Sequence, residues 1–141
     1  MTTQARIGHG TLFQIGNEAS PMVYVSLAEV TSITPPGMAR DSVDASHEES
    51  PGAWREFIGG MKDGGEVSVE MNFIPGSLST TRIIDTFSSD EALSCKIIFP
   101  DAAATTWTFQ AICTGFEPET PMDDKMSASA TFKVTGQPTF A

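Results

Sequence analysis

The side chains able to do chemistry in this chain are few, and their spacing argues against catalysis. The two histidines, His9 and His47, sit in no metal-ligand spacing. His47 precedes Glu48 and Glu49, a grouping a general base could use. The three fall in a polar, aperiodic stretch, however, which reads as a solvated charge run. Asp123-Asp124 after Pro121 lacks the alternating oxygen ligands and glycine of a calcium loop, and reads as a turn. Gly59-Gly60 and Gly64-Gly65 belong to no strand–loop–helix unit and make no phosphate-binding fingerprint. No serine occupies a nucleophile elbow. An enzyme is not expected, and neither is a metal or cofactor.

Cys95 and Cys113 lie in strand-like stretches. Matching their apolar faces across a turn at Pro100–Thr106 sets Cys95 opposite Ala111 and Cys113 opposite Leu93. That leaves the sulfurs two residues apart along the ladder, too far for a disulfide. The expectation is two buried free thiols, as in a reducing compartment.

Ten more acidic than basic residues, eighteen against eight, give a formal net charge of −10. Such a surface repels phosphates, and no Lys/Arg cluster opposes it, so sequence-specific nucleic-acid binding is not expected. No run approaches the ~20 apolar residues of a membrane span. The opening Met-Thr-Thr-Gln-Ala-Arg has no apolar run after its charge, so no secretory signal is expected. The expectation is a soluble chain made in a cytoplasm. Its 141 residues suit one domain with a moderate core.

The elements that would position any site are mainly strands. Residues 10–16 predict a first short strand, Asn17–Pro21 a hairpin loop, and Met22–Ile33 one longer β-rich run closed by Pro35-Pro36-Gly37. From Met38 to Pro51 the composition is polar and acidic without a period, which predicts a long loop. Val67, Val69, Met71 and Phe73 alternate with Glu66, Ser68, Glu70 and Asn72, a half-buried strand. Ser77 or Ser79 can cap a helix running to Ser89, with Ile83, Ile84 and Phe87 as its packing edge. Leu93–Phe99 and Thr106–Phe116 predict a hairpin, and Glu117–Asp124 an acidic loop. Met126, Ala128, Ala130, Phe132 and Val134 alternate inward along a last strand. Six or seven strands with one helix predict a mainly β fold, an antiparallel sandwich or barrel with a flanking helix and a long inter-strand arm.

The arm is the most informative segment. Trp54, Phe57, Ile58 and Met61 fall at i, i+3, i+4 and i+7, one apolar stripe of a short helix. Ser50 would cap it, Pro51 suits its first turn, and Gly59-Gly60 would end it. Such a bulky element on a glycine-bounded arm either covers one end of its own core or reaches into a neighbour. Glu66 and Glu70 lie on the polar face of the following strand, either an ordinary wet face or the lining of a channel.

In order and spacing, the chain resembles the tail tube proteins of bacteriophages with long non-contractile tails, the lambda-type family. The likeness runs through Gly10-Thr11-Leu12-Phe13, Trp54-Arg55-Glu56-Phe57-Ile58-Gly59-Gly60, Lys62-Asp63-Gly64-Gly65 and Asn72-Phe73-Ile74-Pro75-Gly76. It continues at Ile98-Phe99-Pro100-Asp101 and Phe132-Lys133-Val134-Thr135-Gly136-Gln137-Pro138. The resemblance implies a single tail-tube domain over residues 1–141, with 38–64 as the arm, and a virion protein of the tail assembled in the host cytoplasm. It implies hexameric rings stacked around a tape measure protein, capped by tail terminator and tail tip proteins, and a lumen through which DNA passes without specific binding. It makes Val43, Trp54, Phe57, Ile58 and Met61 ring-stacking residues and Glu66 and Glu70 an acidic lumen lining. The immunoglobulin-like domain that some members carry C-terminally is not expected here. The rival expectation is a monomeric β-sandwich binding module of a tail tip or similar assembly.

Overall fold

Nine strands and one α-helix organise the described residues, which are 3, 8–16 and 23–140 of a computed structural model. The strands are β1 (Leu12–Gly16), β2 (Tyr24–Ser26), β3 (Val30–Thr34), β4 (Ala39–Asp44), β5 (Phe57–Asp63) and β6 (Glu66–Asn72). After helix α1 (Leu78–Ser88) come β7 (Leu93–Ile98), β8 (Thr106–Glu119) and β9 (Ser127–Phe140). Seven of the strands pair antiparallel in the order β2-β1-β7-β8-β9-β6-β3, and β4 with β5 forms a separate two-stranded ladder.

That sheet is rolled, and local sequence shows why. β2 and β3 stand at opposite edges yet are joined by only Leu27, Ala28 and Glu29. Leu27 N–H donates to the Phe13 carbonyl (2.9 Å) on one edge, and Asn72 N–H donates to the Glu29 carbonyl (3.0 Å) on the other. The rings of Phe13 and Phe132 lie 5.2 Å apart. Their strands, β1 and β9, are separated by β7 and β8, ~14 Å along a flat sheet. Only curvature brings the rings together. The enclosed core is Phe13, Ile15, Val67, Val69, Ile83, Cys95, Ile97, Ala111 and Phe132, all fully buried, with Met71, Phe109, Ala130 and Val134 beside them. The long β-rich run expected over Met22–Ile33 is therefore two strands. Glu29, with φ of 54°, turns the corner between them. The loop expected at Asn17–Pro21 lies outside the described residues.

Helix α1 closes one side of the roll. Ser77 accepts from Thr80 N–H (3.3 Å) and caps it. Ser79 is buried and accepts from Ala28 N–H (2.8 Å), tying the helix to the sheet corner. The buried face is Ser79, Thr80, Ile83 and Thr86, whereas Ile84 and Phe87 are about half exposed. The expected packing edge is thus correct at Ile83 alone. Buried hydroxyl residues take the other places: besides Ser79, Thr80 Oγ1 donates to the Ile74 carbonyl (3.1 Å) and Thr86 Oγ1 to the Arg82 carbonyl (2.9 Å). Ser77→Ala removes the cap and is expected to lower unfolding stability by ~1 kcal/mol. The urea midpoint reads this directly, and an unchanged midpoint would show the cap to be idle.

The β7–β8 hairpin forms with the expected faces but a different register. Leu93, not Cys95, faces Ala111, and Cys95 faces Phe109, a shift of two residues. A two-residue shift preserves every face, so the apolar pattern could not detect it. Cys113 pairs instead with Phe132 of β9, and both cysteines are buried thiols outside any disulfide. Burial pushes the Cys113 thiol above its ordinary pKa. β8 and β9 also run further than expected, to Glu119 and Phe140, and Met126 is exposed rather than inward.

Candidate functional site

The short helix expected from Ser50 to Gly60 does not form. A single 3-10 turn occupies Pro51–Ala53, Trp54 is extended, and Phe57–Asp63 is a strand paired with β4. So short a helix, carrying Gly52, Gly59 and Gly60, is below the length at which helices sustain themselves. Pairing with β4 satisfies the same backbone groups along a full ladder. The helical spacing therefore distributes the side chains differently: Phe57 and Ile58 take opposite strand faces, and a register shift against Arg40–Ser42 interrupts the alternation before Met61. The stretch expected as a loop, residues 38–51, supplies β4, all six residues of which are exposed. A strand that buries neither face carries no alternation to read.

The arm springs from the end of the β3–β6 pair. Their last partners are Thr34 and Ser68, and the first of the arm are Ala39 and Asp63. Gly37 and Gly64-Gly65 bridge the break. Gly65 has φ of +80°, and a Cβ there would collide with the Gly37 backbone. Lys133 Nζ on β9 holds both oxygens of Asp63 (3.0 and 3.1 Å), and Asp63 accepts from Gly65 N–H (2.9 Å). The Gly65 amide, then the Lys133 ammonium, keep the Asp63 carboxyl below its ordinary pKa. Gly65 O accepts from Val134 N–H (3.0 Å). These bonds clamp the root of the arm to the sheet.

Along the arm Val43 faces Ile58 across the ladder. Arg40 Nε donates to the Gly60 carbonyl (3.2 Å), its guanidinium lying over Gly59. At the tip, Ala45 N–H donates to the Glu56 carbonyl (2.8 Å) and Ser50 Oγ donates to Glu56 Oε2 (2.8 Å). His47 Nδ1 lies 3.3 Å from both Ser50 Oγ and Glu56 Oε2. A serine–histidine–carboxylate relay needs the two ring nitrogens to contact different partners. Here one nitrogen faces both, so the cluster closes a loop rather than activating a nucleophile. Sequence reasoning set His47 with Glu48 and Glu49. Its actual partner, Glu56, becomes visible only once the hairpin is paired.

The five expected stacking residues all sit on this arm and all are exposed: Trp54 by 78%, Met61 by 85%, and Val43, Phe57 and Ile58 by about half. Met38 at the root is exposed as well. Six large apolar side chains, four in the two-stranded ladder and Met38 and Trp54 beside it, form a surface that the subunit itself leaves uncovered.

Glu66 and Glu70 lie on the outward face of β6, exposed as expected. Glu66 is opposite Lys133, whose charge Asp63 already engages, and Glu70 is opposite Ser129. Ser129 in turn faces Glu117 on β8, so Glu70 and Glu117 flank one serine, ~10 Å apart. Glu117 was expected in a loop. A register shift between Cys113 and Gly115 turns Glu117 and Glu119 onto this face, which a run of residues read without its partner strand does not reveal.

A sheet rolled on itself, carrying an exposed two-stranded apolar arm and an acidic outer face, matches one family over nearly its whole length. The family model for the lambda phage tail tube protein covers residues 6–141. The chain belongs to the lambda phage tail tube protein family. It is a structural subunit of a tail tube, a component of the virion tail and not an enzyme. Solved tail tube proteins share its fold. A protein of the tail of an empty gene transfer agent particle, refined with C6 symmetry, is 18% identical, with TM-score 0.78 over 97% of this chain and 99% of that one. A chain in the sheath/tube terminator structure of an extracellular contractile injection system is 11% identical, with TM-score 0.72 over 100% of this chain and 99% of that one. The SPP1 tail tube protein is 10% identical, with TM-score 0.68 over 92% of this chain and 76% of that one. No curated protein matches the chain. Among the described residues no helix is long and apolar enough to cross a membrane.

Proposed function

We propose that this tail tube subunit assembles into stacked hexameric rings that form the tube through which a phage genome passes to the host. The observation that carries this is the arm, whose apolar side chains a solitary subunit exposes. A two-stranded ladder is marginal alone in water and gains stability when a neighbour covers it. Membership of the tail tube family and the C6 symmetry of the gene transfer agent tail support sixfold rings. Val43, Trp54, Phe57, Ile58 and Met61 are the ring-stacking residues in this reading. A tape measure protein sets the stack during assembly, and terminator and tip proteins close its ends. Electron microscopy of the purified protein tests it: hollow tubes with a sixfold end view are expected. Compact monomers at every concentration would overturn it in favour of a binding module.

Glu66 and Glu70 line the lumen in this proposal, where carboxylates keep DNA sliding without adhesion. Exchanging both for lysine places two attractive charges per subunit around every ring. Each phosphate contact releases counterions, so such contacts accumulate along the DNA and strengthen at low salt. Tubes are expected to assemble normally, since exposed strand positions tolerate polar exchange, while infectivity falls by orders of magnitude. Normal infectivity of the double lysine variant would place this face away from the lumen.

A further inference from the structure

The two ends of β6 are unlike. At Glu66 the strand adjoins the arm root, and six residues later Asn72 stands roughly 20 Å away. Just beyond Asn72 the chain exposes a second apolar patch. Ile74 is 43% exposed, Leu78 63%, Met122 98% and Met126 40%. One set of backbone bonds gathers them at this end. Phe73 N–H donates to the Met126 carbonyl (3.0 Å), and Ser77 N–H donates to the Ile74 carbonyl (3.2 Å). Glu117, Glu119, Asp123 and Asp124, all exposed, surround the patch, with Lys125 the cation among them. The arm has the opposite trim. Arg55 adjoins Trp54 and Lys62 adjoins Met61, both exposed, and neither is in an ion pair among the described residues.

We propose that the patch of Ile74, Leu78, Met122 and Met126 is the seat on which the arm of a second copy of this chain, one layer along the tube, docks. Apolar side chains meet apolar side chains, and Arg55 and Lys62 approach the four carboxylates. Donor and acceptor are different surfaces at opposite ends of one strand. The contact is therefore heterologous and leaves free arms at one end of the stack and free seats at the other, so the stack stays open to growth. This inference rests on the tube reading above and names the surface that reading leaves open.

The variant Leu78→Asp with Met122→Ser tests it. Leu78 is the first residue of α1, whose first turn holds no acidic residue, and a carboxylate there favours the helix. The subunit is expected to melt no lower than wild type. Tube yield is expected to fall at least ~tenfold, as for the loss of one interface anchor. Mixed with a Trp54→Ala/Phe57→Ala subunit, which keeps its seat, it is expected to give discrete two-layer particles that stop growing. Long tubes from the seat variant alone would overturn the proposal, and so would a mixture without two-layer particles. A second measurement is independent of both variants. Met61→Cys combined with Met122→Cys is expected to form inter-subunit disulfides in tubes, while buried Cys95 and Cys113 stay silent. No cross-link in well-formed tubes would also overturn the seat. Wild-type protein that forms no tubes would overturn the tube reading itself, a distinguishable result.

Discussion

Trp54→Ala or Phe57→Ala is expected to abolish tube formation while leaving the isolated subunit's melting temperature nearly unchanged. Both rings are exposed, at 78% and 56%, so truncation removes little that the subunit buries. Surface changes of this kind usually move stability by less than ~0.5 kcal/mol. Interface aromatics behave differently, commonly contributing ~2 kcal/mol or more each. In a stacked ring that loss recurs in every subunit of a layer, so yield responds far more steeply than any single contact. Phe132→Ala supplies the contrast. Phe132 is fully buried against Phe13 and is expected to lose ~3–5 kcal/mol of folding stability. Melting of the monomer and sedimentation of tubes separate the two classes. A large melting loss at Trp54 would mean that the arm folds onto its own body in solution.

The same contrast explains which parts of the molecule were legible in the sequence. β6 and β9 bury one face each, so Val67, Val69 and Met71, and Ala128, Ala130 and Phe132, alternate with polar residues and announce their strands. Ser77 announced the helix for an equally local reason, since capping needs only a hydroxyl three residues before an amide. The arm buries almost nothing within the subunit. Hydrophobic periodicity measured against the chain's own core therefore misread a strand as a helix. Register and roll were hidden for another reason. The corner at Leu27–Glu29, the two-residue offset between β7 and β8, and the shift that turns Glu117 outward all depend on which strand lies alongside. The five arm residues and the two acidic residues stand exposed in the fold, a property of residue type that the sequence displays without its partner strands. Their neighbours, Met38, Glu117 and the Asp63–Lys133 clamp, needed the fold.

The arm can serve an assembly only if its root aims it, and Gly65 is where that aim is most vulnerable. Gly65→Ala is expected to cost on the order of 3 kcal/mol and to scatter the arm, through two additive causes. The first is backbone conformation: at φ of +80° an alanine is strained by ~1–2 kcal/mol where glycine is not. The second is space. The new Cβ would point straight into the carbonyl of Gly37, which is backbone and has no rotamer to change. Pro35-Pro36 stiffens the segment leading to Gly37 from one side, while the Val134 hydrogen bond and the Asp63–Lys133 pair hold Gly65 from the other. The strain must therefore separate the two crossings of the arm root. Two neighbouring exchanges isolate these causes. Gly76 has φ of +77° with open space around it, so Gly76→Ala carries the conformational cost alone, ~1–2 kcal/mol. Gly64 would bring its Cβ to 2.7 Å from Val134 Cγ1, a side chain that can shift, so Gly64→Ala is expected to cost ~1 kcal/mol. Urea unfolding of the three variants should rank Gly65→Ala well below the other two. Tube yield should follow a different order, collapsing for Gly65→Ala and holding for Gly76→Ala, because only the first displaces Trp54 and Phe57 from their approach. Equal losses at Gly65 and Gly76 would show that the Gly37 contact sets nothing. Full tube yield from Gly65→Ala would show that the arm finds its neighbour without a rigid root.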